Sequence, residues 1–307
     1  MARIGEVQSP AQARDALARG RLRASLMPDL LVEARRIANT VISGWHGRRK
    51  RGIGENFWQF RPYVDGDPAR IDWRRSARDD HIYVRDSEWE AAHTVWLWAD
   101  PSPSMLYKSA AAEVSKQSRA LVLALALAEL LSRGGERIAW PGLADPFAAR
   151  NGAERMAAHL AARLTQADDL PARPDLSGVR RFCDVVLVSD FLDPVEETAA
   201  WLGDLARRGI RAHLVEVADP AEESFPYTGR TEFTDPETGA KLTAGRAEML
   251  GEAYRRLYLA RREELSAWCR RLGWSFTTNH TDRLASEALA RVHLAMSDGG
   301  FDGSARG

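Results

Sequence analysis

Apolar runs and helical stripes alternate along most of the chain. Val95–Ala99 is a short continuous apolar run, the pattern of a strand buried on both faces. Phe182–Val188, Ile210–Val217 and Trp274–Thr278 repeat it, and Arg137–Leu143 is a shorter version interrupted by Pro141. Between them the apolar positions recur at 3.6-residue spacing. This predicts helices over Leu30–Val41, Glu113–Leu131, Ala153–Leu164, Val195–Arg207, Arg246–Leu272 and Thr281–Leu294. Glycines stand where such helices stop, at Gly134-Gly135 and Gly209. Strand and helix in alternation predict an α/β fold: a doubly wound, mostly parallel sheet.

Two stretches break the pattern. Residues 219–245 read as a hairpin insertion, with Thr231–Phe233 and Lys241–Thr243 flanking Asp235-Pro-Glu-Thr-Gly239. Residues 44–90 are dense in Gly, Arg, Asp and Trp with little periodicity, apart from an alternating His81–Arg85 that fits an edge strand. Arg61, Asp65, Asp67, Arg70, Asp72, Arg74, Arg75 and Arg78 alternate in sign there, among Phe57, Trp58, Phe60, Tyr63 and Trp73. Two readings fit: a charge-zipped arm folded on the main domain, or a docking surface rich in Arg and Trp. The layout is then a helix and charged arm over residues 1–92, packed on a main domain over 93–296. A Gly-rich disordered tail follows at 297–307.

Composition narrows the classes. The 307 residues carry 43 basic and 43 acidic side chains, so net charge points to neither nucleic acid nor an anionic membrane. Cys183 and Cys269 lack zinc-site spacing and fit a reducing compartment as small buried hydrophobes. No leader-like segment opens the sequence, and the longest apolar run, Ala120–Leu131, is too short to span a bilayer and holds Glu129. The expectation is a cytoplasmic protein. Arg48-Arg49-Lys50-Arg51 reads as an exposed loop.

The chemistry concentrates where the Val95 run ends: Asp100-Pro101-Ser102-Pro103-Ser104. An acid at the carboxyl end of a buried strand lies where open α/β sheets hold ligands. One carboxylate and two hydroxyls on a proline-stiffened loop suit Mg²⁺, which takes oxygen ligands and retains waters. The alternative is a helix N-cap at Asp100 or Ser104. Ser189-Asp190 closes the Phe182 run in the same way, so Asp100 and Asp190 converge if the strands are parallel. Asp190 also has structural alternatives, as a cap for the Val195 helix or a partner of Arg137 or Arg180.

Gly52-x-Gly54-Glu55, Arg61-x-Tyr63, Gly66-Asp67, Arg70-Ile71-Asp72-Trp73 and Ser76-Ala77-Arg78, followed by Asp-x-Ser-x-Ser-Met, resemble the bacterial domain of unknown function 58 family, over roughly residues 40–295. The resemblance implies a von Willebrand factor A-like domain with a metal-ion-dependent adhesion site. It also implies frequent partnership with MoxR-type AAA+ ATPases. On that reading Ser102 and Ser104 are direct ligands of Mg²⁺ (or Mn²⁺), and Asp100 and Asp190 act through waters. A partner's acidic residue then completes the shell. The implied pattern includes a Thr on the loop after the second strand, but residues 143–152 hold neither Thr nor Ser. Asn151 and Asp145 are the substitute ligands, and Thr165 lies too late.

The functional expectation is a non-enzymatic adaptor that binds a MoxR-type ATPase or an acidic client. Its interaction arm includes Arg61, Tyr63, Asp67, Arg70, Asp72, Trp73 and Arg78. Alternatives are a Mg²⁺-dependent phosphoester hydrolase using Asp100, or a structural domain with a vestigial metal site. The hydrolase would want a second acid two residues on, where Ser102 stands, and Ser104 lacks the G-x-S-x-G setting of a nucleophile.

Overall fold

The computed structural model describes residues 24–46, 57–62, 77, 82–87, 93–165, 171 and 173–298. The chain divides into two units, one of residues 1–43 with 94–307 and one of residues 44–93. The boundary falls within the N-terminal helix, all but the last three residues of which belong to the larger unit.

In the larger unit six strands form one sheet. They are β3 (Thr94–Ala99), β4 (Arg137–Trp140), β5 (Ala144–Phe147), β6 (Asp184–Ser189), β7 (Arg211–Ala218) and β10 (Ser275–His280), in the order β10-β7-β6-β3-β4-β5. All pairings are parallel except β4 with β5. Every residue of β6, and all but the first of β3, is buried, which is why both read as unbroken apolar runs.

The helices are α1 (Met27–His46), α2 (Lys116–Arg133), α3 (Gly152–Leu164), α4 (Val195–Arg207), α5 (Pro220–Ser224), α6 (Glu248–Arg271) and α7 (Ala285–Asp298). Alternating Leu and Ala, both strong helix formers, build α2, and Ser115 caps it by accepting the Ser118 N–H. It is buried nearly all round. The β3–α2–β4 crossover runs one way along the sheet and β6–α4–β7 runs the other. Right-handed connections then put α2 and α4 on opposite faces. The helix α7 packs on α2, β7 and β10, while α6 packs on α4 and β10. On α1, Ala34, Ile37, Ala38 and Val41 join the core, and Arg35 reaches Glu129 at 3.8 Å and Glu154 at 3.4 Å.

Three differences from the sequence reading have local causes. The expected strand at 137–143 ends at Trp140, because Gly142 turns at φ 68° and Leu143 N–H donates to Trp140 C=O at 3.0 Å. The chain then returns as β5, so residues 143–152 are partly strand rather than one loop. The helix placed at Glu113 begins only at Lys116, after the Ser115 cap. In the smaller unit β1 (Phe57–Pro62), not expected from the sequence despite Phe57, Trp58 and Phe60, pairs antiparallel with β2 (Tyr83–Ser87). The hairpin strands β8 (Thr231–Thr234) and β9 (Lys241–Ala244) pair antiparallel within the larger unit. The expected tail lies almost wholly outside the described residues.

Candidate functional site

The strand order reverses at β3: the chain leaves it toward β4 and returns on its other side as β6. A crevice opens at such a reversal, beyond the carboxyl ends of the two strands. Asp100 follows β3 and Asp190 follows β6, and the ladder extends one step past β3, with Asp100 N–H donating to Val188 C=O at 2.8 Å. A third acid, Asp219, follows β7 at the same edge.

Asp100 is buried and bonded through both oxygens. One accepts the Ser102 N–H at 2.8 Å, and the other accepts the Ser189 hydroxyl at 2.6 Å. Burial raises the Asp100 carboxyl above its ordinary value; the bonds from Ser189 and Ser102 oppose this, and the nearby Asp190 adds to it. Ser102 precedes a short 3₁₀ turn, Pro103–Leu106, pinned by the fully buried Met105. Neither Asp100 nor Ser104 caps an α-helix: Ser104 lies within the 3₁₀ turn, and the helix that follows is capped by Ser115. The Ser102 and Ser104 hydroxyl oxygens stand 3.1 Å apart.

Asp190 meets neither Arg137, which donates to Pro146 C=O, nor the N-terminus of α4, whose capping residue is Pro194. Its partner is Lys116, in the first turn of α2. The Lys116 Nζ lies 2.8 Å from Asp190 Oδ2 and 2.5 Å from Glu222 Oε1, and the side chain is 1% exposed. Burial pulls the lysine pKa down, but the charges of Asp190 and Glu222 outweigh it, and the net shift is upward. Burial also raises the Glu222 carboxyl, against the pull of Lys116.

Glu222 is held in turn by a capping box on α5, whose Asp219 accepts the Ala221 N–H at 2.9 Å while Glu222 accepts the Asp219 N–H at 2.8 Å. The other Asp219 oxygen accepts the Ser109 N–H at 2.9 Å, joining the end of β7 to the loop after β3. Arg261 of α6 donates to Asp190 C=O at 3.3 Å and to Glu216 at 3.0 Å. On this rim Lys116 answers Asp190 and Glu222, while Asp100 and Asp219 are met by hydroxyl and backbone N–H donors, which leaves carboxylate in excess.

Three of these residues left a signal in the sequence. Lys116 continues the stripe of Ala120, Leu123 and Leu127, all buried, back by one turn. A charge on that stripe needs a buried partner. Asp219-Pro220-x-Glu222 is a capping-box pattern.

The substitute ligands lie along the sheet. Trp140 pairs with Ala144, so the exposed Asp145 lies on the outermost strand, β5, beside the carboxyl end of β4. Asn151 precedes α3, exposed, with no capping bond from its side chain. Thr165 ends α3 and donates to Ala162 C=O at 2.7 Å. Of the arm residues, Arg61 sits in β1 opposite Val84, while Tyr63, Asp67, Arg70, Asp72, Trp73 and Arg78 lie outside the described residues. Among the described residues no three or more His, Cys, Asp or Glu form a metal-holding group. No helix among them is long and apolar enough to cross a membrane.

Uncharacterized proteins of Mycobacterium bovis and Mycobacterium tuberculosis are each 28% identical to this chain over 261 residues, covering 79% of it and 80% of the relative. Two solved structures show a distant likeness. One is an aerotolerance-related membrane protein from Bacteroides fragilis, at 14% identity and TM-score 0.37. The other is the conserved hypothetical protein BatB from Bacteroides thetaiotaomicron, at 15% identity and TM-score 0.34. Each aligns with 67% of this chain and 100% of the solved one. The profile described as "Protein of unknown function DUF58" matches residues 59–264. With well over half of its 307 residues inside that match, the chain belongs to the DUF58 family of proteins of unknown function.

Proposed function

We propose that this protein is a non-enzymatic interaction module of the cytoplasm, with a von Willebrand factor A-like domain. On this reading it holds Mg²⁺ (or Mn²⁺) at an adhesion-type site and serves as an adaptor for a MoxR-type AAA+ ATPase or an acidic client. Ser102 and Ser104 are the direct ligands. Asp100 and Asp190 act from behind them, and Asn151 or Asp145 offers further oxygen.

The observation that carries the reading is the 3.1 Å spacing of the Ser102 and Ser104 hydroxyl oxygens. Octahedral ligands at 2.0–2.1 Å from Mg²⁺ sit about 2.9 Å from their neighbours, so the pair already approaches that spacing. Bound there, the ion supplies a positive centre with a position open to a partner's carboxylate. The chain's own residues do the rest. Asp100 fixes the loop through the Ser102 N–H, and the surplus carboxylate on the rim favours a cation. The hydrolase reading fits less well, because both oxygens of Asp100 are engaged in holding the loop and strand β6.

A second reading is favoured by Lys116, whose ammonium already answers Asp190. In it the lysine is the resident cation and the rim is purely structural. Titration with Mg²⁺ and Mn²⁺ separates the two. Adaptor function predicts metal-dependent stabilisation of the wild type, diminished in Ser104→Ala. It also predicts capture of a MoxR-type ATPase that is lost on chelation and in Asp100→Ala or Ser102→Ala. Capture indifferent to chelation and to both substitutions would refute the metal-edge mechanism.

A further inference from the structure

The carboxylate of Glu237 meets the candidate site from 133 residues away in sequence, its Oε1 accepting the Ser104 N–H at 2.9 Å. The hairpin that delivers it is ordered at both ends. At the tip, Asp235 accepts the Glu237 N–H at 2.9 Å and the Thr238 hydroxyl at 2.5 Å, and Gly239 turns the chain back at φ 72°. At the stem, Phe233 stacks on Phe225 with ring centroids 5.7 Å apart and meets Tyr227 edge-on at 5.2 Å. The Tyr227 hydroxyl is 2.5 Å from that of Tyr107, whose N–H donates to Ser104 C=O at 3.1 Å. Stem and tip therefore grip one loop, and the tip places a carboxylate on the residue whose hydroxyl is a proposed metal ligand.

We infer that Glu237 is the site's own ligand. The β8–β9 hairpin seats a carboxylate in cis where a partner's acidic residue would bind, so hairpin and partner compete for one position. This inference rests on the metal reading above. The ligand class it names is a carboxylate carried on an exposed turn, of which Asp235-Pro-Glu-Thr is the internal copy. The tip contact is exposed, and a single hydrogen bond of that kind biases an equilibrium by only about five-fold. A partner can therefore displace the tip while the aromatic stem stays anchored.

Chemical rescue tests it. Mn²⁺ is titrated into wild type, Glu237→Ala and Glu237→Gln, read from the electron paramagnetic resonance of free Mn²⁺, with and without acetate as a carboxylate probe. Both variants should bind Mn²⁺ at least about five-fold more weakly, because each loses the anionic oxygen whether or not the Ser104 N–H is still answered, and a Glu237→Gln protein that binds like wild type overturns the inference. Acetate should restore Glu237→Ala and leave wild type unmoved. The Gln variant separates charge from hydrogen bonding, because its carbonyl can still accept the Ser104 N–H. If Mn²⁺ binds all three alike, or acetate acts equally on wild type and Glu237→Ala, Glu237 is a surface contact and the inference is overturned. If wild type binds no Mn²⁺, the metal reading itself fails and takes the inference with it.

Discussion

Removing the ammonium of Lys116 is the sharpest perturbation of the rim. In Lys116→Met the stem is replaced by a side chain of similar length, and Asp190 and Glu222 lose the charge they share. Asp190 is 5% exposed, so its carboxylate cannot turn to water for compensation. Breaking a buried pair from one side costs about 3–5 kcal/mol. For a domain of this size that lowers Tm by about 6–20 °C. Urea or thermal unfolding at neutral pH measures it.

Two controls sharpen the reading. Adding Asp190→Asn to Lys116→Met removes an orphaned charge, so the double variant should lose less than the sum of the singles, by about 1–3 kcal/mol. Acid should narrow the gap between Lys116→Met and wild type. Buried carboxylates without a partner have raised folded pKa values, so the stability they cost at neutral pH returns as they protonate. Lys116→Met should also gain more stability from Mg²⁺ than wild type does, because the rim carries one cation fewer. A Lys116→Met protein within about 1 kcal/mol of wild type, or strictly additive with Asp190→Asn, would refute the argument that the ammonium holds the rim together.

The remaining predictions concern pH and packing. Asp100 has its folded pKa raised above the ordinary 3.8. The native state therefore binds the proton more tightly than the unfolded chain. This contribution is present below the unfolded value and is lost as pH rises through the folded one. Asp100→Asn removes a titrating group, so its stability–pH profile, followed by urea unfolding from pH ~4 upward, should fall less steeply than that of wild type. At Gly152 an added Cβ would lie 2.0 Å from Ser132 Oγ and 2.9 Å from Ile138 Cδ1. Gly152→Ala should cost about 1–3 kcal/mol in chemical unfolding, and adding Ser132→Gly should recover only part of it, because the Ile138 contact stays and a helical glycine carries its own cost.

The sheet was legible because burial on both faces leaves unbroken apolar runs. The predicted helix over Val195–Arg207 coincides with α4 and the run at Val95 is β3, while the run expected from Phe182 becomes β6 only from Asp184, with Phe182 itself exposed at φ 67°. The elements that escaped are those whose pairing is not written in periodicity. Asp145 and Pro146 disguise β5, which forms only because Gly142 folds the chain back onto β4. The strand β1, with three aromatics but no clean alternation, is defined by its pairing with β2.

Of the candidate site, Asp100 and Asp190 could be placed at strand ends from their runs alone. Their different surroundings could not. Lys116 reads as a charge on a buried stripe, but its partners appear only once α2 is laid across the sheet. Glu237 reads as turn chemistry until the hairpin is folded onto the loop. Both depend on contacts between segments far apart in sequence.

The outermost strand of the sheet is short and contains Pro146, which has no amide hydrogen to offer. The Pro146 carbonyl is already taken by Arg137. That border is poorly suited to recruit a strand from another molecule, so the sheet resists edge-to-edge growth there. Restoring the missing donor with Pro146→Thr would remove this protection and favour self-association through that border.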